Sequence, residues 1–271
     1  AAGSLQGSLV ATALNTSLPL ADIIAWGWRI PFLLGGLFGL FAMMLRRWLE
    51  ETPIFNEMKA KKQLVEGLPL KQVLGNSKPE VVMSMLLTWM LSAAIVVVIL
   101  MTPTYLQKQL AIAPTAALQA NSLATVTLTL GCIFFGWLND RINSGLVFIV
   151  GSIGLAVTTY VFYHGVAADP SLLLVLYPLV GFFVGIVGAV PYAMVMAFPP
   201  AIRFSGISFS YNLSYAIFGG LTPMVVALWL KNEPMAPCYY VIMLCVVGAA
   251  VGCWLLQQQL RQESTALAEA N

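Results

Sequence analysis

The 271 residues are 59% hydrophobic and 9% charged, with a formal net charge of +2, whereas soluble domains carry roughly 25% charged residues. That deficit excludes an ordinary water-soluble domain, and so small an excess of positive charge gives no ground for a nucleic-acid partner. Mean hydropathy is +0.86, and lipid is the expected solvent: a helix needs about 20 apolar residues to cross roughly 30 Å of hydrocarbon.

Taken in order, residues 1–18 read as the end of a helix stopped near Pro19. The chain opens in apolar sequence with no starting Met, basic n-region or signal cleavage site, so a C-terminal fragment of a longer protein is expected. The next span starts at Trp26-Gly-Trp28-Arg29-Ile-Pro31 and runs to Leu45. Its aromatics suit an interface belt, and Pro31 fits a first helical turn. Arg46 and Arg47 end it, and Thr52-Pro53 opens an irregular stretch. Residues 46–80 form the only long polar segment, expected as a solvated linker between two helix bundles. Six further spans follow at about 81–102, 118–138, 145–164, 172–197, 205–230 and 239–257, and a polar tail starts at Gln258. The expectation is therefore an all-α membrane protein of about eight helices, antiparallel because the loops are short. It divides into 1–45, the end of a first bundle; 46–80, the connection; 81–257, a six-helix bundle; and 258–271, the tail. Strands of a membrane barrel would show short alternating segments, which the sequence lacks.

Threading these spans puts Arg46, Arg47, Lys59, Lys61, Lys62, Lys71, Lys78, Arg141, Arg203 and Arg261 on one side of the bilayer. Only Arg29, Lys108 and Lys231 of the 13 Lys and Arg fall on the other. The side richer in Lys and Arg is cytoplasmic, so both chain ends are expected inside.

No charge lies within the six later spans, so any solute site there has to rest on neutral polar groups, which are costly in lipid and face a bundle interior or a watery path. Ser84, Thr88 and Ser92 recur at four-residue spacing with Trp89 beside them, as do Asn121, Thr125 and Thr129; Ser208, Tyr211, Asn212 and Tyr215 follow a three-and-four pattern. Such spacings share one helix face. Tyr and Asn can hold a small solute through hydroxyl and amide groups, and aromatic faces can hold a quaternary ammonium; the same residues can equally serve interhelical hydrogen bonding. Gly181, Gly185 and Gly188 form a small-residue face that lets helices approach, while Gly219-Gly220 with Pro223 interrupts another span. His164 sits at an outer helix end and reads as interfacial. Cys132, Cys238, Cys245 and Cys253 lack C-x-x-C spacing, so neither metal nor disulfide is expected. With one His, no P-loop, no G-x-S-x-G and no paired carboxylates in the spans, neither an enzyme nor a cofactor is expected.

Three stretches resemble the major facilitator superfamily, in its metabolite:proton symporter branch of proline/betaine, α-ketoglutarate, citrate and shikimate transporters. They are Trp26-Gly-Trp-Arg-Ile-Pro-Phe32 with Leu49-Glu-Glu-Thr-Pro53; Gly136-Trp-Leu-Asn-Asp140-Arg141; and Phe198-Pro199 through Ile202-Arg-Phe-Ser-Gly206 and Tyr211-Asn-Leu-Ser-Tyr-Ala-Ile-Phe-Gly-Gly220 to Thr222-Pro223. The resemblance implies the end of helix five through helix twelve of a twelve-helix fold, two bundles rocking about a central site. It also implies a conformational latch of Gly136, Asp140, Arg141 and Arg203, with Asp140 facing the N-terminus of helix eleven. After Arg141 the family pattern continues with Gly and further basic residues, but here Ile142-Asn143-Ser144-Gly145 follows.

These readings lead to a multi-pass protein of a bacterial inner membrane that moves a small polar metabolite with protons, working with the N-terminal half of the same transporter. Thr88, Trp89, Asn121, Thr125, Tyr211, Asn212 and Tyr215 are its solute-cavity candidates. Leu221-Thr-Pro223 and Pro237-Cys-Tyr-Tyr240 look closest to the proline/betaine members, which favours an osmolyte. A di- or tricarboxylate is the alternative solute, and a non-transporting membrane sensor the alternative of another class.

Overall fold

A computed structural model describes residues 17–48 and 69–270, together with Val10 and Leu14. Regular structure among the described residues is helical, and seven helices are long and apolar enough to cross a membrane. We label the helices α1 (Ile23–Arg46), α2 (Pro69–Asn76), α3 (Lys78–Gln109), α4 (Pro114–Asn139), α5 (Ser144–Ala168), α6 (Pro170–Ala197), α7 (Arg203–Trp229) and α8 (Ala236–Ala270). The span expected over residues 1–18 lies almost wholly outside the described residues. The chain forms two compact units, Ala1–Leu64 and Val65–Asn271.

In the first unit, α1 exposes apolar side chains on all sides, among them Ile24, Phe32, Leu33, Phe38 and Met44. A helix apolar all round is built for lipid or for other helices, not for water. Arg29 at its start donates from Nη1 to Ala25 O at 2.9 Å and lies 4.6 Å from the centre of the Trp28 ring. Its charge is thus held beside an aromatic at the expected membrane edge.

The second unit holds the remaining six spans around one interior, where Leu87, Met90, Phe135, Phe148, Phe162, Tyr163, Tyr177 and Ile186 are fully buried or nearly so. Two helix pairs are set by glycine. Between α4 and α6, a Cβ added at Gly185 would overlap the Gly131 backbone, one at Gly181 would overlap Ala124 O, and one at Gly188 would come 2.9 Å from Cys132 O. The predicted Gly181, Gly185 and Gly188 face therefore packs backbone to backbone. Between α5 and α8, Gly145 and Gly252 do the same: a Cβ at Gly252 would lie 2.7 Å from Gly145 O. Without a hydrophobic drive between helices in lipid, such close backbone packing supplies the van der Waals contact that holds them.

Four spans depart from regular α-helix, each a few residues before a proline. Ile23–Gly27 in α1, Ile95–Met101 in α3 and Tyr215–Gly219 in α7 are π-helical, and Gly185–Ala189 in α6 is a 3₁₀ segment. The prolines are Pro31, Pro103, Pro223 and Pro191. Proline removes one N–H and crowds the preceding turn, so the chain widens or tightens there and leaves carbonyls to be satisfied by side chains. In α3 the side chains do this: Thr102 Oγ1 donates to Val97 O at 2.9 Å, and the Tyr177 hydroxyl donates to Val98 O.

Three boundaries differ from the sequence expectation. Helix α3 passes through Pro103 to Gln109, seven residues beyond the expected stop at 102, because the π segment absorbs the proline. Helix α8 continues past Gln258 to Ala270. Within the segment expected as a loop, α2 is helical and buries Val73 against a small cluster with Val81, Phe198 and Ile202.

Candidate functional site

Helix α7 presents two faces. Gly206, Ser210 and Ser214, four residues apart, are buried, and Ser214 Oγ donates to Met85 O of α3 at 2.7 Å. The predicted Tyr211, Asn212 and Tyr215 lie on the other side and are exposed. Tyr211 and Tyr215 stack with ring centres 5.5 Å apart and planes 29° off parallel. Asn212 Nδ2 donates back to Ser208 O at 2.7 Å, which leaves its Oδ1 outward as an acceptor. The sequence placed these three together, and they form one partly exposed aromatic and amide surface beside the buried Gly206, Ser210 and Ser214 face.

Trp89 joins this region from α3. Its indole stacks on Phe218, in the π segment of α7, at 4.3 Å between centres and 16° between planes. Its Nε1 donates to the Tyr240 hydroxyl of α8 at 3.1 Å, and that hydroxyl pairs with Thr222 Oγ1 of α7 at 2.9 Å. Indole N–H is a donor only, so Tyr240 accepts from Trp89 and shares a proton with Thr222. This chain ties α3, α7 and α8 at the level of the irregular α7 turn.

The α4 stripe has a different use. Asn121 meets the Tyr177 hydroxyl at 2.7 Å, while Thr125 Oγ1 donates to Asn121 O and Thr129 Oγ1 to Thr125 O. The Tyr177 phenol has one proton for two neighbours, Val98 O and Asn121. Both contacts are satisfied when the Asn121 amide turns its N–H₂ toward the phenol oxygen. Asn121 thus helps close a buried network across α3, α4 and α6. Thr88 is fully buried, donates to Ser84 O at 2.8 Å and touches Met194 Sδ at 3.7 Å. The Ser84, Thr88 and Ser92 stripe lies inside the bundle and belongs to its packing.

The predicted latch residues sit at one end of the unit. Gly136 has no atom within 4 Å of a would-be Cβ, Asp140 is exposed, and Arg141 lies over Trp137 at 5.4 Å. Arg203, the first residue of α7, donates from Nε to Phe198 O at 3.1 Å. Among the described residues no ion pair joins Asp140, Arg141 and Arg203. At the opposite end His164 stacks on Tyr160 at 4.1 Å, with Nδ1 3.1 Å from Tyr160 O.

Sequence reasoning passed over Tyr177, and it met Phe218, Thr222 and Tyr240 only within the stretches that resemble the family, with no role for them. Tyr177 was the detectable one: a lone phenol in an apolar run, next to Pro178, needs a partner for its hydroxyl.

Residues 2–223 match the family profile described as Major Facilitator Superfamily. The chain is 29% identical over 255 residues to a Staphylococcus aureus protein named as a proline/betaine transporter, covering 92% of this chain and 54% of that protein. It is 28% identical to the citrate-proton symporter of Klebsiella pneumoniae, over 91% and 56%. To the glycine betaine/proline/ectoine/pipecolic acid transporter OusA of Dickeya dadantii it is 29% identical, over 94% and 53%. The chain spans about half the length of the curated relatives it matches. No solved structure matches it.

Proposed function

Because this chain belongs to the major facilitator superfamily of membrane transporters, we propose that it supplies the later part of a proton-coupled symporter that carries a small zwitterionic osmolyte across a bacterial cytoplasmic membrane by alternating access. Residues 1–45 would close the first bundle, 46–80 connect, 81–257 form the second bundle and 258–271 the cytoplasmic tail. The observation that carries the reading is the outward face of α7, where Tyr211, Asn212 and Tyr215 offer two stacked rings and a free amide oxygen. Aromatic faces attract a quaternary ammonium, and hydroxyl and amide groups can bond its carboxylate. A zwitterion, whose charges nearly cancel, needs no charged residue here, and in α7 the only one is Arg203 at its start.

Trp89 would border the site, and Thr88, Asn121 and Thr125 would support it from behind through the bonds described above. The other half of the transporter, the proton and the lipid are its implied partners. In the latch, closure of the cytoplasmic side would bring the Asp140 carboxylate to the N-terminus of α7, beside Arg203, where exposed N–H groups favour it. Two of the three relatives described above are named for proline or betaine. The citrate-proton symporter supports a second reading, a carboxylate solute whose cationic partner lies in the other bundle.

The test is made on the full-length transporter. Tyr211→Phe and Asn212→Ala are each expected to weaken glycine betaine affinity by roughly 3- to 10-fold, the loss of one net hydrogen bond, with helix content and membrane insertion unchanged. Unaltered affinity in both variants removes this face from the site.

A further inference from the structure

We propose that the cytoplasmic end of the second unit carries a binding site for a small organic cation, built on Glu80 and separate from the Tyr211 face. A cavity of about 310 Å³ opens there between the ends of α3, α5, α6 and α8, lined among others by Glu80, Ser144, Tyr192, Trp254, Gln258 and Gln259. It falls at the lower end of the roughly 300–1,000 Å³ typical of small-molecule pockets. Glu80 also borders a second cavity, of about 410 Å³, with Gln72, Asn76 and Ser77. It therefore stands in the wall between two polar hollows.

Three observations point to a cation. Glu80 Oε2 is buried and has no hydrogen-bond partner. Among the described residues no Lys or Arg lines either cavity, and Lys78, two residues away, borders an apolar groove between α3 and α8 instead. Glu80 lies in the first turn of α3, where the helix N-terminus favours the charged carboxylate. One carboxylate oxygen is thus withdrawn from water with no partner, an arrangement that is costly for a charge until an opposite one enters.

The lining chooses the kind of cation. A divalent metal wants six or more oxygen ligands, several of them carboxylates, and among the described residues the first cavity has one carboxylate. Tyr192 and Trp254 instead offer ring faces, which attract an alkylammonium by cation–π interaction. Amides at Gln258 and Gln259 and the hydroxyl of Ser144 leave acceptors for a polar remainder. A methylated ammonium group meets all three kinds of wall.

Binding of radiolabelled tetramethylammonium to the 271-residue chain in uncharged maltoside micelles, read by equilibrium dialysis, tests this. Saturable binding is expected, weakened at least 10-fold by Glu80→Gln and about 3- to 10-fold by Trp254→Leu. Glu80→Asp should keep part of it. Neither potassium at equal ionic strength nor neopentyl alcohol, the same shape without charge, should displace the probe. Helix content and thermal unfolding of each variant check that it folds, and Trp254→Leu carries the test should Glu80→Gln not fold. The proposal is overturned if folded Glu80→Gln binds as well as the unaltered chain, if both Trp254→Leu and Glu80→Asp bind unchanged, or if either competitor displaces the probe fully.

Discussion

Gly185→Leu is expected to stop α4 closing on α6 and to lower the thermal midpoint of the detergent-solubilised chain by about 10 °C or more. A Cβ at this position would meet the Gly131 backbone and lie 2.5 Å from Cys132 N, so no rotamer change can relieve it. Added volume in a packed interior costs roughly 1–3 kcal/mol where side chains can shift; here backbone must move, and the cost should reach the top of that range or exceed it. In a domain of 150–250 residues, each 1 kcal/mol is about 2–4 °C. Gly136→Ala on the same α4 is the control: nothing lies within 4 Å of its Cβ, and a change within about 2 °C is expected. Tryptophan fluorescence on heating reads both. Equal midpoints for Gly185→Leu and the unaltered chain would contradict the backbone-to-backbone packing of α4 on α6.

The second large effect is expected at Trp89. Trp89→Ala removes the stack on Phe218 and the donor to Tyr240 together. Truncating a large, well-packed aromatic costs about 3–5 kcal/mol, and Trp89 is half-buried, so about 3 kcal/mol and a fall of roughly 6–12 °C are expected. Trp89→Phe keeps the stack and loses one hydrogen bond, about 1 kcal/mol, and should cost a third as much. Because the stack rests on the π segment Tyr215–Gly219, Trp89→Ala should also loosen α7, read as faster amide exchange over that segment. A midpoint for Trp89→Ala no lower than that of Trp89→Phe would show that the stack contributes nothing.

Much of the architecture was legible because lipid imposes one rule: long apolar helices, with charge at their ends. The Gly181, Gly185 and Gly188 spacing announced a close helix contact, though not its partner Gly131, since one glycine at a helix middle carries no period. The π segments were not legible. Proline marked their places, but whether a helix widens, tightens or breaks there depends on which side chain reaches the freed carbonyl, and Tyr177 lies 79 residues from Val98. Periodicity likewise could not separate the Ser84, Thr88 and Ser92 stripe, which packs inward, from the Tyr211, Asn212 and Tyr215 stripe, which faces out. Both repeat at helical spacing, and only the neighbouring helices decide which face is covered. Helix α2 escaped notice because its polar sequence hides one buried residue, Val73.

The two proposed sites would use one chemistry at different depths. At the proposed α7 face, rings and an amide would receive a solute whose charges nearly cancel. At the proposed cytoplasmic site, a carboxylate joins the rings and would select net positive charge. Neither depends on a charge placed within the hydrocarbon, consistent with the cost of such groups in lipid.

Solute uptake by the full-length transporter in proteoliposomes, with a pH gradient imposed acid outside, tests the account most directly. Accumulation of glycine betaine that collapses when a protonophore removes the gradient is the predicted result. Uptake of the same extent with and without the gradient, or saturable binding with no uptake at all, would contradict it.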